Sequence, residues 1–169
     1  MNIVLDACSI INLVNGSVFD TVLSLKGYKF FVGPQVASTE CGEPAGTVLQ
    51  QAITNGQVSL LNDDQITATR FLTLLQQYNL GDGETESLTF SESLGYSICT
   101  DDRKARNVSK TVIGNGKVTG SLGLLSKAVQ EQKLTASEAF SAYQKMKAAG
   151  GFLPEIDLSF FINKPKGNA

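Results

Sequence analysis

Short apolar runs closed by polar residues alternate along this chain with stretches whose apolar positions recur at helical spacing. Ile3-Val4-Leu5, Phe30-Phe31-Val32 and Tyr96-Ser97-Ile98-Cys99-Thr100 read as buried strands, over residues 2–5, 28–32 and 96–100. Val58 to Leu61 and Lys117 to Thr119 read as shorter strands, and Val112-Ile113 as one more. Between them, Ile10, Ile11, Leu13 and Val14 begin a short helix that Asn15-Gly16 stops. Ser17 is placed to cap a second helix carrying Val18, Val22, Leu23 and Leu25.

A short helix follows Pro34-Gln35 and puts Val36 and Glu40 on one face, four residues apart. Gly42 and Pro44 break it, and residues 45–53 form the next. Asp63 or Asp64 is predicted to cap a helix that turns Ile66, Phe71, Leu72, Leu74 and Leu75 inward. Asp82 is predicted to cap another, with Glu84 sharing the face of Leu88 and Glu86 pointing away from it. Arg103 to Ser109 form a short basic helix, and Ser121 to Gln130 a further one. Thr135-Ala136-Ser137-Glu138 has capping-box spacing and opens a helix to about Ala149, which Gly150-Gly151 terminates. The tail with Phe160 and Phe161 is expected to dock on the core before a disordered Lys-Pro-Lys end.

Strands alternating with helices predict an α/β fold, with a mostly parallel sheet and helices on both faces. Ligands in such folds bind beyond the carboxyl ends of the strands. Asp6 follows the first strand, and Asp101 and Asp102 follow the strand at 96–100. Carboxylates repeatedly placed beyond buried strands point to a site for a hard divalent cation.

Composition narrows the chemistry. The 169 residues suit one domain, and 42% apolar content can build its core. No apolar run approaches the roughly 20 residues needed to span a bilayer, and the N-terminus enters a strand without a basic leader. The expectation is a cytoplasmic protein with no membrane role. There is no histidine, which excludes Ser-His-Asp and Cys-His triads and HExxH zinc sites. Cys8, Cys41 and Cys99 have no metal-binding spacing and read as reduced packing residues; each lies within two residues of a candidate carboxylate. The alternative for them is a site that soft metals poison.

The net charge of −2 conceals an asymmetry. Residues 1–102 carry 3 basic and 12 acidic side chains, a balance of −9, whereas residues 103–169 carry 11 and 4, a balance of +7. A solvated surface accounts for this, as does an acidic metal pocket beside a basic surface that holds a polyanion. Oxygen-only ligands favour Mg²⁺ or Mn²⁺ over Zn²⁺. Such an ion acidifies a water for attack on a phosphodiester and stabilises charge on the leaving oxygen. Each acid also has a structural reading, as a turn, a cap or a solvated residue. One of Asp101 and Asp102 could serve only to cap the basic helix.

Val4-Leu5-Asp6-Ala7-Cys8-Ser9-Ile10-Ile11, Val36 to Glu40, Gly83-Glu84-Thr85-Glu86 and Cys99-Thr100-Asp101-Asp102-Arg103, taken in order, resemble a PIN domain. Gly120-Ser121-Leu122-Gly123-Leu124-Leu125 is similar to a segment of a prokaryotic subgroup. The resemblance covers about residues 1–153, leaving 154–169 as the tail. It implies a PIN-like three-layer fold around a five-stranded sheet and a Mg²⁺- or Mn²⁺-dependent endoribonuclease. For many members it also implies a homodimer and a VapC-type toxin held by an antitoxin. Asp6, Glu40, Glu84 and Asp102 match the catalytic acids, with Asp6, Glu84, Asp102 and neighbouring Asp101 toward the metal. Glu40 would orient or deprotonate the attacking water. Ser9, Thr100, Arg103, Lys104 and Arg106 are the substrate-binding candidates. The hydroxyl or amide often found two residues after the first acid is Cys8 here, with Ser9 next to it as a substitute.

Other readings are weaker or of another class. A HAD-type phosphohydrolase needs an aspartate where Cys8 stands. Gly114, Gly116, Gly120 and Gly123 do not form a strand–GxxxxGK[ST]–helix pattern. A catalytically inactive PIN-like module that binds RNA or protein is the principal alternative.

Overall fold

The structure, a computed structural model, describes residues 1–162. The expected disordered end falls on residues 163–169, outside the described residues. Five strands, β1 (Asn2–Leu5), β2 (Lys29–Val32), β3 (Val58–Leu60), β4 (Ser97–Cys99) and β5 (Val118–Thr119), form one sheet in the order β3-β2-β1-β4-β5. Every pairing is parallel, so the sheet is wholly rather than mostly parallel. The central strands β1 and β4 are largely apolar and buried, as a sheet covered on both faces requires, whereas Ser59 and Leu60 of edge strand β3 are exposed.

Strand alternation sorts the core. Ile3, Leu5, Phe30, Val32, Val58 and Cys99 join a large cluster on one face. There they meet α1 (Ala7–Asn15), α2 (Phe19–Leu23), α3 (Ala45–Thr54), α7 (Ser121–Gln130) and α8 (Ala136–Ala148). Val4, Phe31 and Ile98 face the other way, toward α4 (Ala68–Tyr78), α5 (Asp82–Leu94) and α6 (Arg103–Ile113). The last helix, α9 (Ser159–Ile162), places Phe161 in the large cluster. No helix among the described residues is long and apolar enough to cross a membrane.

Several local expectations change, each for a visible reason. Ser17 does not cap α2: its φ is 58°, and Val18 occupies the cap without a side-chain bond. Asp63 and Asp64 lie in a separate 3-10 turn, and Thr67 caps α4 by accepting from the Arg70 N–H at 3.2 Å. On α4 only Leu74 is buried, whereas Leu72 is exposed. Gly81 rather than Asp82 is the N-cap of α5. Val112-Ile113 are helical, because Ala105, Val108 and Val112 share the stripe that packs α6 onto the sheet. Lys117 belongs to a 3-10 turn before β5.

The strand order decides where the site lies. β1 pairs with β2 on one side and β4 on the other. The chain direction around the sheet therefore reverses between β1 and β4, which is where open parallel sheets form a crevice beyond their carboxyl ends. Asp6 and residues 100–102 are the residues that emerge there.

Candidate metal and nuclease site

Asp6 leaves β1 with its N–H donating to the Cys99 carbonyl at 3.0 Å, then caps α1. Its Oδ1 accepts from the Ala7 N–H at 2.9 Å. Its Oδ2 accepts from Thr100 Oγ1 at 2.6 Å and Cys8 Sγ at 3.0 Å. Burial pushes this carboxyl above its ordinary range, against the opposing hydrogen bonds from Thr100, Cys8 and Ala7, and the Asp101 charge adds to the rise.

Glu84 and Asp102 approach from the other sides. Glu84 lies in the first turn of α5, and its Oε2 accepts from the Gly81 N–H at 2.9 Å. Burial raises its carboxyl; the Gly81 bond opposes this, and the Asp6 and Asp102 charges raise it further while Lys104 lowers it. Asp102 caps α6, with Oδ1 accepting from the Ala105 N–H at 2.7 Å. Glu84 thus stands in the field of both Asp6 and Asp102, carboxylates from two other segments.

Glu40 is brought against the start of α5 by packing. Residues Val36–Glu40 form one π-helical turn. Glu86 holds the start of that turn, accepting from the Gln35 N–H at 2.9 Å and the Val36 N–H at 3.3 Å. Glu40 then lies across Gly83, one residue before Glu84: a Cβ on Gly83 would meet Glu40 Cγ at 2.8 Å. A side chain at position 83 would displace Glu40. Glu86 is buried and structural, as its spacing from Glu84 implies.

Asp101 sits differently from its neighbour. Its Oδ2 accepts from Asn12 Nδ2 at 2.8 Å and Ser121 Oγ at 2.6 Å, and its Oδ1 from the Ser121 N–H at 2.9 Å. These bonds tie β4 to α1 and α7. Gly120 is needed beside them, because a Cβ there would lie 2.5 Å from Asp101 Oδ1. Asp101→Ala is expected to cost about 2–3 kcal/mol, since it strips the acceptor from three donors at once. Urea unfolding checks this, and a loss below about 1 kcal/mol would remove the bracing role.

The remaining candidates separate by burial. Ser9 is fully buried on α1. Thr100 is also fully buried, and its hydroxyl donates to Asp6. Cys8 takes the place of the missing hydroxyl: its thiol donates to Asp6, and its sulfur accepts from the Asp101 N–H at 3.2 Å. Burial, with the Asp6 charge, pushes that thiol up to about 12, so it stays protonated and can donate. Arg106 donates to the Thr100 carbonyl at 2.9 Å, and Lys104 to the Asn79 carbonyl at 2.5 Å. Arg103 is exposed, and Arg103, Lys104, Arg106 and Lys110 form no ion pair among the described residues. Asn12 and Ser121 escape a reading of the sequence; only the Gly120-Ser121 segment hints at the second.

The fit to a cation rests on charge and donor type. Among the described residues, no three metal-binding side chains converge to ligand distance. Each of Asp6, Glu84 and Asp102 has an oxygen engaged by a backbone N–H at a helix start. Such bonds orient a carboxylate without removing its capacity to ligate. The donors are all oxygen; burial raises the Asp6 and Glu84 carboxyls, and at Glu84 the Asp6 and Asp102 charges add a repulsion that a divalent cation relieves. Asp6, Glu84 and Asp102 are therefore the residues that would hold a hard divalent ion.

The comparisons agree with this architecture. The family model for DUF3368, described as a PIN domain, matches residues 2–164. No curated protein and no solved structure matches the chain.

Proposed function

From the premise that this chain belongs to the PIN-domain family, whose members are generally nucleases, we propose that it is a Mg²⁺- or Mn²⁺-dependent endoribonuclease. The supporting observation is that Glu84 stands in the field of Asp6 and Asp102 at the β1–β4 crevice, beside cations on adjoining α6 that form no ion pair among the described residues. When bound, the ion supplies Lewis acidity toward the phosphate and charge neutralisation at the leaving oxygen. Asp6, Glu84 and Asp102 hold it. Thr100 and Cys8 orient Asp6 by donating to Oδ2. Glu40 accepts the proton of the attacking water. Arg103, Lys104 and Arg106 neutralise substrate phosphates.

Incubation of the purified protein with single-stranded RNA tests this directly. Cleavage should proceed with Mn²⁺ and stop with EDTA. Intact RNA under both conditions, with binding indifferent to Mn²⁺, would favour the inactive module instead. Relief of carboxylate repulsion also predicts that Mn²⁺ raises the melting temperature. A shift of about 4 °C corresponds to roughly 1 kcal/mol, and ligand excess sets its size. The shift should shrink as falling pH protonates the raised carboxyls of Asp6 and Glu84, which then lose their affinity for the ion. An antitoxin partner, a homodimer and a cytoplasmic location complete the proposed setting.

A further inference from the structure

Phe152 is 97% exposed, the largest exposure of any large apolar side chain described, yet its backbone is pinned. The Gly151 N–H donates to the Met146 carbonyl at 3.0 Å, and the Leu153 N–H to the Gly151 carbonyl at 2.9 Å. Tyr143 Oη donates to the Pro154 carbonyl at 3.0 Å, and Leu153 is buried. The ring is therefore presented outward by a loop with fixed ends.

That loop abuts the acidic site. A Cβ on Gly151 would lie 2.5 Å from Asn12 Oδ1, and Asn12 is the side chain that braces Asp101. Phe152 lines two adjoining clefts. The smaller, about 220 Å³, runs past Cys8, Asn12, Asp101 and Asp102. The larger, about 820 Å³, runs past Asp101 and Asp102 along Arg103, Arg106 and Lys110. A single exposed apolar residue is ordinary on a protein surface. An aromatic ring beside both a carboxylate site and a row of cations with no ion pair among the described residues has a more specific use.

We propose that Phe152 is a stacking platform for an unpaired base of single-stranded RNA, with the adjoining phosphates held along Arg103, Arg106 and Lys110. This rests on the nuclease reading above and adds how that site selects its substrate. Every base has a π-face, so the platform is tolerant of sequence but not of pairing. A base in a duplex is stacked on its neighbours and cannot reach the ring. The larger cleft has the volume of a typical small-ligand site, enough for a nucleotide. Its cations match the charge of the RNA backbone, whereas a purely apolar partner surface would leave them unneutralised.

The test uses a fluorescein-labelled single-stranded RNA of mixed sequence and the same RNA annealed to its complement. Binding is followed by anisotropy in EDTA for the wild type, Phe152→Ala and Phe152→Trp. Cleavage with Mn²⁺ and sedimentation are measured in parallel. Phe152→Ala should weaken single-strand binding about 10-fold and raise KM more than it lowers kcat. Phe152→Trp should restore binding, and duplex binding should be weaker and indifferent to either change. Phe152-dependent binding without cleavage by the wild type would retire the nuclease reading and leave the platform standing. Wild-type cleavage with unchanged Phe152→Ala binding and KM would retire the platform alone. A shift from dimer to monomer in Phe152→Ala, with RNA binding unchanged, would assign the ring to a second copy of the chain and overturn the proposal.

Discussion

Asp6→Asn is expected to lower Mn²⁺-dependent RNA cleavage roughly 1,000-fold, equivalent to about 4 kcal/mol of lost transition-state stabilisation. Asp6 is central in position and in charge. It follows β1 directly and bonds to the end of β4, and its charge raises the Glu84 carboxyl and the Cys8 and Cys41 thiols. The amide keeps the shape and can still accept from the Ala7 N–H through Oδ1. Thr100 Oγ1 and Cys8 Sγ, which now donate to Oδ2, can accept from the amide instead. The variant should therefore fold, with a stability change within about 1 kcal/mol at neutral pH.

The pH dependence of that change has a definite sign. Burial raises the folded-state value of Asp6 above the ordinary 3.8. The folded chain then binds the proton more tightly than the unfolded chain, and stability falls as pH rises from about the unfolded value toward the folded one. Asp6→Asn removes this fall. Relative to the wild type, the variant should gain stability as pH is raised through that window. Native-like unfolding curves together with cleavage within a few-fold of wild type would remove Asp6 from the reaction.

Glu40→Gln should reduce cleavage by about 100- to 10,000-fold while leaving the Mn²⁺-induced rise in melting temperature intact. The two readouts separate a proton acceptor from a metal ligand. Glu40 is exposed and lies against Gly83, whereas Asp6 and Asp102 raise the Glu84 carboxyl, a repulsion that a cation would relieve. The glutamine has the same shape, so the Val36–Glu40 turn that Glu86 holds should persist. Residual cleavage should climb more steeply with pH, because hydroxide must replace the missing base. Loss of the Mn²⁺ shift would move Glu40 into the metal set. Undiminished cleavage would exclude it from the chemistry.

The thiol at position 8 shows how a departure from pattern can be absorbed. A cysteine in place of a hydroxyl would fail if it ionised beside Asp6, because two negative charges would then share the crevice. Its burial instead keeps the proton on sulfur, and the protonated thiol donates to Asp6 much as a hydroxyl would. The thiol also joins the ends of β1 and β4 by accepting from the Asp101 N–H. The same burial argues against a freely reactive cysteine at this position.

The four acids could be proposed as a set from the sequence because they stand at punctuation marks in the hydrophobic pattern. Asp6 and Asp102 follow strands, and Glu84 opens a helix. Their division of labour was less legible. Asp101 and Asp102 are adjacent in sequence, yet one accepts from α1 and α7 and the other caps α6. Those donors, Asn12 and Ser121, lie 89 and 20 residues away from Asp101. Ser9 and Thr100 carry the right functional groups but are turned inward by the elements that hold them. Helix α5 was harder still. Thr85, Thr89 and Ser91 are buried with their hydroxyls donating to carbonyls four residues earlier, so a polar sequence forms an interior helix.

By itself the sequence determined the alternating α/β plan, the exclusion of histidine chemistry and an all-oxygen donor set at strand ends. These follow from local periodicity and composition, which record whether a residue is buried and what it can donate or accept. The tertiary structure alone decided the order β3-β2-β1-β4-β5, which brings the ends of β1 and β4 together across more than 90 residues of chain. It also decided which carboxylate braces the fold, which faces the crevice, and that Phe152 stands beside them. The physical reason is that strand pairing and hydrogen-bond partners at long range are settled by packing of whole elements, and periodicity along one element carries no record of its neighbour.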